Sequence, residues 1–234
     1  MLNNLLSLLL SFMVTSPQPQ NLNFDVHAAY STSVKTHTLA NAQSVADIIP
    51  QYPSEWIKNY AFVEVIVKKN GAITKAAGKN SVLSTEQKTI LRSADIGSEI
   101  AISIGYTEKN AVTENTQSAT LHYEATVIPE KEAEYQGGYQ QLSAYIQEHA
   151  INKISDKNSK DFKPVVVKFT VNERGEIANA HVAQSSNDAK IDKTLLQVIT
   201  KMPKWRPAET AKGVKVKQEF QFNVGPGGGG GSGC

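Results

Sequence analysis

Apolar and polar residues alternate most regularly toward the C-terminal end of the chain. Val165, Val167, Phe169 and Val171 fall at period two, the signature of a half-buried strand. Asn172-Glu173-Arg174-Gly175 supplies turn chemistry, with Gly175 able to take a positive φ, and residues 176–183 read as the returning strand. Over 188–202 the period changes: Ile191, Leu195, Val198, Ile199 and Met202 recur at helical spacing, so one helix face is apolar. Pro203 stops that helix, and Trp205-Arg206-Pro207-Ala208 follows as an extended, proline-stiffened segment. Val214, Val216, Phe220, Phe222 and Val224 then alternate with Lys215, Lys217, Glu219, Gln221 and Asn223, a long strand broken only by Gln218. Ser185-Ser186 reads as the end of the hairpin and the cap of the following helix.

The first half is mostly strand. Candidates cover 24–31, 34–39, 62–67, 100–106 and 119–128, and Asn70-Gly71 is a hairpin turn leading into 72–75. One helix interrupts them: Ser84 and Gln87 form a capping box, with Ile90 and Leu91 on the buried face and Gly97 beyond its end. Glu130, Glu132 and Glu134 against one lysine mark 129–134 as a solvated acidic linker. Gly137-Gly138 then precedes a helix whose Tyr139, Leu142 and Ile146 share a face. The expected organisation is a signal peptide and disordered leader over 1–23, a β-rich domain over 24–128, the linker over 129–134, a second domain over 135–224 and a flexible Gly-rich tail over 225–234.

The second domain resembles the TonB C-terminal domain. The matching positions include Val167, Phe169 and Val171, then Gly175 and Ile177, then Asp192, Leu195 and Leu196 in the helix. The spaced Pro203, Trp205, Pro207 and Ala208, with Phe220 and Phe222 after them, make the pattern specific. The resemblance implies an α+β fold in which helices pack on a three-stranded antiparallel sheet. The first domain resembles, over residues 83–91, 95–98 and 100–104, the periplasmic modules of the gliding and secretion protein GldM. That likeness implies a β-sandwich-like, protein-binding unit.

Bulk composition narrows the function. At 234 residues the chain has room for one or two domains with their own cores, and 40% hydrophobic with 20% charged residues suits a soluble protein. A net charge of +2 does not by itself call for nucleic acid. The single cysteine, Cys234, excludes an internal disulfide and a cysteine zinc cage. The apolar run over 5–14 is short of the roughly 20 residues that span a bilayer and suits a secretory signal peptide, although Asn3 and Asn4 stand where basic residues are usual. The expected location is therefore the periplasm, with a buried N-terminal helix as the alternative. The tail ending in Cys234 fits either a native flexible end or a conjugation scar.

Chemistry is sparse. No two of His27, His37, His122, His149 and His181 have helical metal-ligand spacing, Ser185-Ser186 lacks a nucleophile-elbow setting, and Gly137-Gly138 is no phosphate loop. No catalytic residue, metal or cofactor is expected. Lys201, Lys204, Arg206, Lys212, Lys215 and Lys217 make a basic strip with little aromatic interleaving, which suits a solvated face, an acidic protein segment or cell-wall polymer better than nucleic acid.

The resemblance implies a partner instead. TonB domains capture a short peptide of an outer-membrane transporter by β-augmentation at a sheet edge. Here the last strand is the expected edge, with Val214, Lys215, Val216, Lys217, Gln218, Glu219, Phe220, Gln221 and Phe222 as protein-binding residues and Arg206 as a nearby polar contact. A few ladder hydrogen bonds at about 1 kcal/mol net each fit reversible binding. The expected role is a periplasmic adaptor for an outer-membrane β-barrel transporter or partner subunit, with peripheral membrane or cell-wall association open. The alternatives are an energy transducer anchored through a complex, or a docking subunit of a gliding or type IX secretion machine.

Overall fold

The structure is a computed structural model and describes residues 22–55, 57, 59–109, 116–154 and 163–226. The expected signal run and the Gly-rich stretch from 227 onward lie outside these residues. In chain order the elements are β1 (Leu22–Ala28), β2 (Ser33–Lys35), α1 (Thr36–Asn41), β3 (Asn59–Lys69), β4 (Ala72–Gly78), α2 (Thr85–Arg92), β5 (Glu99–Lys109) and β6 (Thr116–Ile128). They continue with β7 (Glu134–Tyr135), α3 (Gly138–Ile146), a π turn into α4 (Asn152–Ile154), β8 (Val165–Val171), β9 (Ile177–Gln184) and α5 (Ala189–Thr200). The last are β10 (Trp205–Arg206), β11 (Ala208–Glu209), β12 (Lys215–Val216) and β13 (Gln218–Pro226). The architecture is α+β, as expected.

The N-terminal unit is one five-stranded sheet in the order β2-β6-β5-β3-β4, antiparallel except where β2 runs parallel to β6. Asn70 and Gly71 both take positive φ, the two-residue turn that matches strand twist, and Lys69 faces Ala72 across it. Val63, Val65 and Val67 alternate inward with Ile100, Ile102 and Ile104 and meet Leu39, Leu83 and Leu91. The second layer is therefore helical, not the second sheet of a sandwich. Residues 34–39 are also not one strand: β2 ends at Lys35 and α1 begins at Thr36. A strand would send Val34 and Leu39 to opposite faces; the helix lets both reach one core. The Ser84–Gln87 capping box forms, and the fully buried Gln87 side chain also donates to the Val63 carbonyl at 2.9 Å.

The C-terminal unit differs from expectation in strand count. Its sheet has four strands, β1-β13-β8-β9, all antiparallel. The extra strand is β1, whose residues 22–28 fall partly in the expected leader and partly in the expected first strand of the other unit. Leu22, Phe24, Val26 and Ala28 share one face, and Leu22 and Val26 are buried with Phe222 and Val224. α3 and α5 contribute Leu142, Ile146, Ile191, Leu195 and Ile199 to the same core. Tyr139 does not join that helix face and is exposed. The cap of α5 is Asp188, which accepts from the Lys190 and Ile191 amides, rather than the serine pair. Ser185 and Ser186 instead donate their hydroxyls to Asp192, each at 2.6 Å.

Candidate docking edge of the C-terminal sheet

The residues expected to bind protein fall into three places. Val214 is exposed, and Lys215 and Val216 form β12, folded back on β11 by a turn in which the Gly213 amide donates to the Thr210 carbonyl. The long strand is thus two pieces on either side of Lys217, β12 paired with β11 and β13 paired with β8. Gln218, Glu219, Phe220, Gln221 and Phe222 do lie together on β13, with Lys217 exposed just before it. Arg206 lies on β10, where its guanidinium meets the Glu134 carboxylate at 2.9 Å.

β13 is an interior strand. On one side it pairs with β8 from Gln218↔Val171 to Val224↔Val165 without a register shift. On the other it pairs with β1 from Phe220↔Ala28 to Pro226↔Leu22, again without a shift. Phe220, Phe222 and Val224 point into the core; Glu219 is exposed and Gln221 and Asn223 are partly so on the opposite face. Phe220 stacks on Phe169 at 5.6 Å and lies 5.0 Å from Trp205, which also packs on Tyr135. Trp205 is core. Gly175 makes room for it: a Cβ there would meet the Trp205 carbonyl oxygen at 1.9 Å, and φ is +77.

The edge that β1 occupies is the regular one. β9, at the other side of the sheet, has two register shifts against β8 and a positive φ at Asn179. Bulged edges resist further pairing. β1 is held by burial and by its ladder to β13. Burying Leu22 and Val26 contributes about 1.5–3 kcal/mol each and each ladder hydrogen bond about 1 kcal/mol net, while ordering each strand residue costs about 1–2 kcal/mol. Phe24 and Ala28 pack against the same core from the rim, so β1 is held by one apolar face and one ladder.

Sequence reasoning missed what holds the ends of this edge. Gln218, the residue that breaks the alternation, is buried: its Oε1 accepts from the Ala133 amide at 2.7 Å and its Nε2 donates to Glu132 at 2.8 Å. The acidic segment is correspondingly not a free linker. Glu130 accepts from the His37 amide at 2.9 Å and the Thr36 hydroxyl at 3.0 Å, Lys131 exchanges backbone hydrogen bonds with Glu209, and Glu134 pairs with Arg206. Burial pushes the Glu130 carboxyl up, but the His37 and Thr36 donors outweigh it and hold its pKa below the ordinary value. Burial, with Glu132 beside it, raises the Tyr30 hydroxyl. A buried glutamine in an alternating strand was the available signal; its partners lie too far along the chain to be read.

The basic strip is partly neutralised, since Lys204 reaches Glu176 at 3.3 Å and Arg206 reaches Glu134. Among the described residues no group of three or more His, Cys, Asp or Glu is arranged to hold a metal, and no helix is long and apolar enough to cross a membrane.

Residues 164–224, about a quarter of the chain, match the family described as Gram-negative bacterial TonB protein C-terminal. The search of curated proteins and the search of solved structures each found no match.

Proposed function

We propose that the chain is a periplasmic adaptor that docks an outer-membrane β-barrel protein by adding an extended segment of that protein to β13. The TonB C-terminal family is a non-catalytic, periplasmic interaction domain of Gram-negative envelopes, and the matched residues span β8 through most of β13. The observation that carries the reading is the unbroken antiparallel ladder between β13 and β1. In that ladder the in-chain strand β1 turns its alternate apolar residues toward the core, which supports reading this edge as the place where a partner strand would add. Strand addition draws most of its energy from the backbone and its selectivity from alternate side chains.

The test is titration of the chain with peptides from outer-membrane plug segments, followed by backbone amide shifts. Shifts along 218–226 are expected. Shifts confined to the 172–175 turn or to α5, with β13 silent, would sink the reading. Co-purification with a barrel protein is the expected cellular result; recovery only with a machine subunit that lacks a barrel would replace the partner.

A further inference from the structure

We propose that β1 is an exchangeable in-chain occupant of this edge, and that it specifies the partner: an extended segment, antiparallel to β13, with apolar residues at alternate positions in the pattern Leu-x-Phe-x-Val-x-Ala. The proposal rests on the strand-addition reading and deepens it by naming the ligand pattern and its competitor. Among the described residues β1 pairs with β13 alone and is itself an edge strand. Its side chains match the surface beneath them position by position: Phe24 faces Val224 and meets the Phe222 ring edge-on at 6.4 Å, Val26 faces Phe222 and Ala28 faces Phe220. With β1 removed, Phe222 and Val224 would line an apolar trough beside an unpaired row of backbone groups. Only an occupant with the same alternation reseals both.

The link from β1 to the N-terminal sheet is short. Residues 29–32 join β1 to β2, and the Ala29 amide still donates to the Glu219 carbonyl. A displaced β1 therefore stays tethered beside the edge at high effective concentration. It sets a threshold that weakly matched peptides do not pass, and selectivity comes from competition rather than from a side-chain pocket.

The test uses the full chain with Cys234→Ser and a cross-strand thiol pair, Asp25→Cys with Asn223→Cys, which face each other on the outer side of the sheet. The probes are a synthetic peptide of residues 22–29 and its scrambled form. The oxidised chain is expected to bind neither peptide, and reduction is expected to restore binding of the ordered one. Val26→Pro, or Phe24→Ala if the proline variant misfolds by circular dichroism, should tighten the apparent Kd by about tenfold or more, because the open edge becomes populated. Equal binding to oxidised and reduced chains would place the site elsewhere and overturn the proposal, as would absence of binding to every variant. A wild-type dimer lost in Val26→Pro would assign the edge to a second copy's β1 and overturn an external partner. Binding of the residue 22–29 peptide without binding of any outer-membrane plug peptide would keep the exchangeable edge and defeat only the outer-membrane reading.

Discussion

The two sheets of this chain are closed in different ways. The N-terminal sheet is built almost wholly from near neighbours: β3 and β4 form a hairpin, β5 and β6 are antiparallel neighbours in order, and only short β2 comes from farther upstream. The C-terminal sheet forms one local hairpin, β8–β9, and is then completed by β13 and by β1 from the opposite end of the described chain. A locally paired sheet has its edges settled by its own turns. A sheet finished by a strand from the far end of the described chain has an edge whose occupant is not set by a turn, and the docking proposed for this chain uses that edge. Each unit also buries one glutamine, and the contrast repeats: Gln87 closes its own helix cap onto β3, whereas Gln218 ties the acidic segment to β13.

The largest expected effect separates the buried face of β13 from the exposed residue just before it. Phe220→Ala should destabilise the C-terminal unit by about 3–5 kcal/mol in denaturant unfolding, and Lys217→Ala, exposed beside it, by less than about 0.5 kcal/mol. Similar values for both would mean that the strand does not present the faces described.

Two glycines with left-handed backbone sharpen the comparison next. Gly175→Ala places a methyl against the Trp205 carbonyl, so it should cost more than the backbone strain alone, about 3 kcal/mol or above. Gly97→Ala has a similar φ but nothing within 4 Å of the new Cβ, and should cost about 1 kcal/mol. Thermal melts that rank them the other way would remove the close approach of Trp205 as the reason for Gly175.

The glutamines come third. Gln218→Leu leaves the buried Ala133 amide without its acceptor and should cost about 1–3 kcal/mol, with faster hydrogen exchange at Ala133. Gln87→Leu should cost a comparable amount but leave exchange at Ala133 unchanged. If Gln87→Leu also speeds Ala133, the two units are more tightly coupled than their separate closures suggest.

The smallest effect is in pH. At Asp192 burial raises the pKa, but the Ser185 and Ser186 hydroxyls and the Ser186 amide outweigh it, so the folded value lies below the ordinary one. A depressed carboxylate stabilises the fold above its unfolded pKa and loses that contribution as pH falls through the folded one. Stability of the C-terminal unit should therefore decline below the ordinary carboxylate range, and Asp192→Asn should flatten the decline. Glu130, held low by donors on α1, should add a parallel loss of contact between the acidic segment and the N-terminal unit. An unchanged pH profile in Asp192→Asn would show that the serine donors do not favour the charged form.

What the sequence alone determined is local. The turns at Asn70-Gly71 and 172–175, the Ser84–Gln87 box and the apolar face of α5 follow from turn chemistry and periodicity, which depend on residues a few positions apart. The same local character explains the different outcome at 34–39, where a short apolar pattern fits one strand as well as a strand followed by a helix, while Tyr139 and Val214 are simply exposed. Only the tertiary structure decided which sheet receives β1, why Gln218 turns inward, and what the acidic residues of 130–134 hold. A period-two pattern says that one face of a strand is buried but not against which partner, because any regular edge with an apolar trough satisfies Leu22, Phe24 and Val26 equally. The choice belongs to the one edge left unbulged and unpaired once β8, β9 and β13 have come together, and that edge exists only in the folded chain.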